Sequence, residues 1–525
     1  MRGRVRSGGP ALAGTLRRWA PRPVLLACAV VAVAVALIPL AYLAVRTGEA
    51  GWARITEELF TRRVLRLSVY TLGLATVVTA ASVFLGVGAA FLVTRTDLPF
   101  RRAFAVLAAL PLAVPTYIAA FAWVSTVDGF AGFWPAALVL TMCSYPYVYL
   151  PVIGALAGAD PALEEVARSF GRNAWQVFLV TLRQVRPAVV GGGLLVALYV
   201  LSDFGAVSIL RADTFTRAIF IAFDLGFDRT GALVLSSVLV ALTVLILTGV
   251  TAGHRRDARL APLGTVRRSP ARLRLGRLRW PAVTGLVILL VLALGVTTAS
   301  LGHRLAQGSS RPGTLSEVVT AAGNSLWLSF TGAALTTLLA LPLGLLAARV
   351  PGRFSAILER ASYLSHALPG LVIGLSLVFF GINVVYPLYQ TTALLALAYA
   401  ALFLPLAAAS VTSAAMHAPP VLEEVARSLG SGGPAVLRRV TLPLLLPGIG
   451  AGAALVFLTC MKELPATLLL RPTGMDTLAT ELWTNTSVAA YAGAAPYAAL
   501  LVLLSSVPTW LLTARTGILT KESAP

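Results

Sequence analysis

Apolar residues in this chain run in blocks of 20 or more, separated by short polar segments rich in arginine. Twelve such blocks stand out, at 23–45, 65–93, 103–127, 132–158, 188–210, 230–252, 280–301, 323–348, 362–382, 391–415, 447–470 and 492–514. A bilayer core is crossed by roughly 20 residues of helix. Inside lipid every backbone N–H and C=O must find its partner within the segment, which leaves helices or closed barrels. Barrel strands alternate in polarity and are about half as long. The pattern therefore predicts an all-α, polytopic transmembrane helical bundle of about 12 spans. The first block has an Arg-rich approach resembling that of a secretory signal. Its apolar stretch exceeds a signal's roughly 7–15 residues and no small-residue cleavage site follows, so it is read as a retained helix.

Composition agrees: 58% of the 525 residues are hydrophobic and 12% charged, too few charges to cover a soluble surface. The formal net charge of +21 changes the picture only through its placement. Nearly all the cations are Arg, with Lys at Lys462 and Lys521, and they cluster between apolar blocks. That is topogenic charge rather than a phosphate-tracking face, so no nucleic-acid partner is expected. With the N-terminus inside, the cytoplasmic segments hold 30 of the 42 Lys and Arg residues and the outer segments 11. A multi-pass cell-membrane protein with both termini cytoplasmic follows. Cys28, Cys143 and Cys460 fall within expected spans and read as packing residues. The four histidines, His254, His303, His366 and His417, form no ligand pair, and the residues define no metal site.

Near the midpoint, residues 253–279 carry nine Arg without apolar periodicity. They read as a cytoplasmic linker that can lie on anionic lipid headgroups. The linker separates a first half, 1–252, from a second, 280–525, with six expected spans in each. The halves repeat. LEEVARSFG at 163–171 is answered by LEEVARSLG at 422–430, Thr181-Leu182 by Thr441-Leu442, and Pro187 by Pro447. Both copies fall between the fourth and fifth spans of their half, in cytoplasmic loops 159–187 and 416–446, so the two six-helix repeats are parallel.

A connection between spans needs few residues, yet these loops are long and helical in pattern. Leu163, Val166, Ala167 and Phe170 fall at i, i+3, i+4 and i+7, with Glu164, Glu165 and Arg168 beside them. Asp160-Pro161 and Pro419-Pro420 suit helix starts, and the early Glu pairs complement the helix dipole. Gly171 and Gly430 offer a stop. Each loop is thus expected to carry a short amphipathic helix across the cytoplasmic face. Its occurrence twice, with polar as well as apolar positions kept, favours a partner-docking element over a helix that packs on its own bundle.

The run Glu-Glu-Val-Ala-Arg-Ser-(Phe/Leu)-Gly, followed by Thr-Leu and a Pro, resembles the EAA loop of binding-protein-dependent ABC importer permeases. The resemblance extends from about residue 65 onward. A fused twelve-span chain with two such loops is similar to the ferric-iron permeases, and also to the thiamine permease. KELPATLLLRPTGMDTLATELW (462–483) resembles the iron subgroup, with SDFGAVSILRADTFTRAIF (202–220) as its first-half counterpart. The resemblance implies that Glu164, Glu165, Ala167, Gly171, Glu423, Glu424, Ala426 and Gly430 couple the permease to ATPase subunits. It also implies two copies of an ABC ATPase and an extracytoplasmic solute-binding protein as partners. No G-x-x-x-x-G-K-[ST] occurs, so the chain cannot build a phosphate-cradling loop. It is expected to bind no cofactor and to be no enzyme, ATP being hydrolysed by its partners.

Two other classes also use long apolar blocks. A secondary transporter of major-facilitator type also has parallel six-span halves, but leaves the paired loops unexplained. A membrane enzyme would need clustered His, Cys or carboxylates at one depth. The intramembrane ionisable residues are Asp203, Lys462 and Glu463. By the 260-residue offset Asp203 and Glu463 are equivalents, each expected about seven residues inside the outer end of its helix. Hard Fe³⁺ favours oxygen ligands, which makes these residues candidates for the substrate path. A structural pair between Asp203 and Lys462 is the alternative. The Gly191–Gly193 run and Gly448, Gly450 and Gly452 are expected to let helices pack closely.

Overall fold

The computed structural model describes residues 22–49, 51–159, 161–226, 228–257, 273–308, 315–350, 352–366 and 368–515. The Arg-rich approach, the middle of the expected linker, Asp160 and the C-terminal residues lie outside the described residues. Among the described residues the elements are helices, with an isolated β-bridge between Thr96 and Leu273. Short connecting helices aside, the first half contains α1 (Arg22–Glu49), α2 (Arg62–Arg95), α3 (Arg101–Leu107), α4 (Thr116–Val124), α5 (Phe133–Ser144), α6 (Pro146–Gly158), α7 (Pro161–Ser169), α8 (Ala174–Ser202), α9 (Gly205–Ile209), α10 (Phe215–Phe220) and α11 (Arg229–Asp257). The second contains α12 (Arg279–Leu290), α13 (Val296–Gln307), α14 (Leu315–Arg349), α15 (Arg353–His366), α16 (Gly370–Asn383), α17 (Thr392–His417), α18 (Pro420–Ser428), α19 (Leu442–Lys462), α20 (Pro465–Leu470), α21 (Leu478–Ser487) and α22 (Tyr491–Arg515).

Among the described residues nine helices are long and apolar enough to cross a membrane, and two bent pairs raise the number to eleven. A shorter apolar stretch, Tyr491–Ser506, falls where the twelfth span is expected.

The bent pairs correct the sequence reading. The expected continuous spans 103–127 and 362–382 are each broken. Arg101–Ala113 meets Thr116–Val124 at 90°, and Arg353–Ser365 ends as a helix separate from Gly370–Asn383. Both breaks turn on a proline, Pro115 and Pro369, each with φ −59 and ψ 141. Proline cannot donate to the helix ladder and steers the residue before it out of the helical region. Val114 accordingly sits at φ −86 and ψ 118. The expected spans 188–210 and 447–470 also stop early, at Ser202 and Lys462, and a short helix follows each.

The chain divides into two compact units, neither of which is a sequence half. One comprises Met1–Pro39, Leu328–His366 and Thr392–Cys460. Its core gathers Leu345, Val411, Ala415, Ala418, Leu445 and Ile449. Here α17 and α19 approach through small residues: a Cβ on Gly448 would lie 2.4 Å from that of Ala414, and one on Gly452 2.6 Å from that of Ser410. Gly450 faces open space. The other unit comprises Leu40–Trp327, Ala367–Thr391 and Met461–Pro525. In it α6 and α8 meet at Gly192, where a Cβ would lie 2.8 Å from Val148 Cα, while Gly191 has nothing near. Gly192 in the first run, and Gly448 and Gly452 in the second, therefore sit at close crossings, whereas Gly191 and Gly450 do not.

Candidate functional site: paired loop helices and paired carboxylates

The helices α7 and α18 are nine residues long and occupy equivalent stretches of the repeat. Each ends in a Schellman turn. In α7 Gly171 N–H donates to Arg168 C=O at 2.9 Å and Arg172 N–H to Ala167 C=O at 3.1 Å. In α18 Gly430 N–H donates to Arg427 C=O at 2.9 Å and Ser431 N–H to Ala426 C=O at 3.0 Å. The turn needs a left-handed residue, and Gly171 and Gly430 supply it at φ 72 and 85.

The helices face the opposite way from an ordinary amphipathic helix. Among the described apolar positions of α7 only Ala167 is buried; Leu163, Val166 and, just past the helix, Phe170 are 50%, 50% and 80% exposed. On α18 Val421, Leu422, Val425 and Leu429 are exposed, and Ala426 is half-buried. The most deeply buried side chains are the acidic Glu164 and Glu423. Glu164 pairs with Arg95 Nη2 at 3.2 Å, and Arg95 also donates to the Leu156 carbonyl. Glu423 pairs with Arg349 Nη2 at 3.2 Å, and Arg349 donates to the Ala418 carbonyl. Glu165 and Glu424 are exposed.

Arg95 and Arg349 carry no distinguishing signal in the sequence. Each is the last residue of a long span, α2 or α14, where arginine reads as a topogenic charge. Their spacing of 254 differs from the 259 of the loops, so they fall outside the repeated motif.

The second constellation lies at the broken spans. Asp203 and Glu463 are not inside continuous helices, as expected, but immediately after α8 and α19. Each carboxylate takes the backbone donors that open the next short helix, and this ends the first one. Asp203 Oδ1 accepts from Ala206 N–H at 3.1 Å and Val207 N–H at 3.2 Å, and Oδ2 from the Thr116 hydroxyl at 2.5 Å. Glu463 Oε1 accepts from Ala466 N–H at 3.0 Å, and Oε2 from Thr467 N–H and the Thr467 hydroxyl, both at 2.9 Å.

Thr116 opens α4 just after the Pro115 break. Gly370 opens α16 just after Pro369, and a Cβ there would lie 2.7 Å from Glu463 Oε1. In both halves, then, a proline-bent pair meets a carboxylate-capped break. Lys462 Nζ donates to the Leu112 carbonyl at 3.4 Å, beside the first bend. Among the described residues no ion pair joins it to Asp203 or Glu463. Nor does any group of three His, Cys, Asp or Glu among them form a metal-holding cluster.

A cleft of about 470 Å³ lies in the same unit as these carboxylates, lined in part by Asp128, Arg211, Arg217, Trp483, Thr486 and Tyr491. Arg217 is held by Asp213 at 2.7 Å. Two lining residues, Arg211 and Ala489, have left-handed backbones at φ 52 and 57.

The family described as binding-protein-dependent transport system inner membrane component matches this chain twice, over residues 82–257 and 340–514. The chain belongs to this family. It is the permease of a binding-protein-dependent ABC importer, a transport subunit in a family that works with ATPase and solute-binding partners. The Fe(3+)-transport system permease protein of Haemophilus influenzae is 37% identical over 479 residues, covering 90% of this permease and 95% of the relative. The sulfate transport system permease protein CysT of Escherichia coli is 29% identical over 42% of this permease and 88% of its own length. The molybdenum transport system permease protein ModB of Mycobacterium bovis is 32% identical over 36% of this permease and 75% of its own length. Each of those two relatives is matched over most of its own length by less than half of this permease.

Proposed function

We propose that this permease carries ferric iron, received from an extracytoplasmic solute-binding protein and driven across the membrane by two copies of an ATPase subunit. The carrying observation is the likeness to a ferric-iron permease along almost the whole chain, both halves included. The relatives named for sulfate and molybdenum match over less than half of it. The repeat divides the chain into permease halves 1–252 and 280–525 joined by the linker 253–279.

In this reading α7 and α18 are coupling helices on the cytoplasmic face, with both chain termini on that side. Their outward apolar faces, rimmed by Glu165 and Glu424, dock one ATPase subunit each. The nine arginines of segment 253–279 lie against anionic lipid. Single cysteines at Ser169 and Ser428, in a background without native cysteines, resist impermeant thiol reagents in intact cells. Labelling from outside would contradict the orientation.

The substrate path runs past the paired breaks. Asp203 and Glu463 hold the bent spans there, and Lys462 sets the local charge. Discontinuous helices of this kind place helix ends and unpaired carbonyls where an ion can be held weakly and released. The cleft lined by Arg211 and Arg217 is the mouth of that path on the outer face.

Uptake into proteoliposomes containing the permease, its ATPase and the loaded binding protein tests the reading. Ferric iron accumulates with ATP, while sulfate, molybdate and thiamine do not. Accumulation of one of those solutes in place of iron would overturn the substrate and leave the family intact.

A further inference from the structure

An amphipathic helix at the edge of a bundle gains most by turning its apolar face inward. Both α7 and α18 do the reverse. Glu164 and Glu423 are 3% and 2% exposed, whereas the valines two residues later, Val166 and Val425, are 50% and 49% exposed. The inward carboxylates would be costly to bury alone, and each has a buried cation waiting for it. Arg95 and Arg349 sit at the ends of α2 and α14, each 3.2 Å from its glutamate and each also bound to a backbone carbonyl. On the solvent side of each glutamate stands the arginine one turn on, Arg168 at 3.7 Å and Arg427 at 3.5 Å.

We propose that the buried pairs Arg95–Glu164 and Arg349–Glu423 are orientation locks, which fix the roll of the two EAA-type helices so that their apolar faces stay outward for a partner. The inference rests on the reading of α7 and α18 as ATPase-docking helices. Arg95 and Arg349 are then positioning residues. They touch neither substrate nor partner and act through the glutamates.

The pair has what this task requires. A charge-assisted contact to one glutamate specifies a single helix roll, because neighbouring residues on a helix differ in direction by about 100°. Apolar packing alone specifies none of the several rolls that bury Leu163, Val166 or Phe170. Once the pair is lost, burial of the apolar face favours the rotation. The same pairing at 3.2 Å occurs in both halves, as a hydrogen bond from Arg349 to Glu423 and as an ion pair between Arg95 and Glu164, although the stretches between arginine and glutamate differ in length. Within the first lock, the end of α2 is further fixed by the linker: Leu273 N–H donates to Arg95 C=O at 2.8 Å, and Leu275 N–H to Asp97 Oδ1 at 2.8 Å.

The test is site-specific labelling of the purified full-length permease without its ATPase, in a background lacking Cys28, Cys143 and Cys460. Cysteines at Val166 and Val425 react rapidly with a maleimide. Arg95→Met slows the reaction at position 166 about tenfold and leaves position 425 unchanged; Arg349→Met does the converse. The reversed pair, Arg95→Glu with Glu164→Arg, restores the rate at 166. Should single charge removal impair folding, Arg95→Met with Glu164→Leu removes both charges at similar volume and carries the same slowed labelling. Unchanged labelling in that double variant, or failure of the reversed pair to restore the rate, overturns the lock. A separate arm adds the ATPase to the parent protein and expects protection of both cysteines. Missing protection there contradicts the docking reading but not the lock.

Discussion

After Gly171 the chain enters α8 through a capping box, with Gln176 N–H donating to Asn173 Oδ1 at 2.9 Å and Asn173 N–H to Gln176 Oε1 at 3.3 Å. It then runs unbroken from Ala174 to Ser202. After Gly430 the path differs: a short helix, Gly433–Val436, and a π turn, Leu437–Thr441, come before α19. The repeat places Arg183 of the first half opposite Pro443 of the second. Proline at 443 cannot donate to the Arg439 carbonyl, and its ring crowds that turn, so the ladder widens ahead of it. Arg183 donates normally and the helix stays regular. What the two halves share is narrower than their sequence likeness. They keep the buried acid–arginine pair, the left-handed glycine and the carboxylate at the span break, and diverge in the stretch that joins them.

The largest break in this comparison comes from moving the proline. Arg183→Pro places a helix breaker in a regular helix and costs about 3 kcal/mol, measured as a loss of denaturant resistance and of uptake. Pro443→Ala removes the reason for the π turn. It is expected to change uptake less than twofold while slowing amide exchange over 437–443. Equal damage from both substitutions would show that the halves tolerate proline alike.

The two carboxylates sharpen the comparison further. In Asp203→Asn the Oδ1 atom keeps both backbone donors, and the new amide faces the Thr116 hydroxyl, which can accept. Charge is lost and geometry is kept. In Glu463→Gln the two carboxylate oxygens each receive a backbone N–H, so one amide nitrogen must face a donor. A buried donor left unmatched costs about 1–3 kcal/mol. Thermal unfolding is therefore expected to drop for Glu463→Gln and to stay near the parent for Asp203→Asn. Iron uptake by the Asp203→Asn variant then reads the charge alone, and normal uptake would remove that carboxylate from the path.

A smaller and more symmetric effect is expected at the helix ends. A Cβ meets nothing within 4 Å at Gly171 or Gly430, so the cost of Gly171→Val or Gly430→Val lies in the left-handed backbone, about 1–2 kcal/mol. Each variant should insert normally yet lower uptake and substrate-stimulated ATPase together. Full activity in both would make the loops ordinary connectors.

Most of the fold was legible because lipid imposes long apolar runs, and the repeat was legible because LEEVARS recurs intact. The breaks at Pro115 and Pro369 were not. Prolines also stand inside unbroken helices, at Pro39, Pro187, Pro342, Pro405 and Pro447. Proline in an apolar run therefore does not distinguish a tolerated kink from a 90° bend. The inverted roll of α7 and α18 was hidden for another reason. A helical wheel separates polar from apolar faces but does not say which one turns inward. That depended on Arg95 and Arg349, remote in sequence and indistinguishable from topogenic charge.

The central claim is that one chain presents two equivalent docking helices, and the mass of the intact complex tests it most directly. Native mass measurement of the permease assembled with its ATPase should give one permease chain with two ATPase subunits, with a larger share of one-subunit complexes when Gly430→Val weakens a single helix. A parent complex with a single ATPase subunit, unaffected by that substitution, would contradict the account.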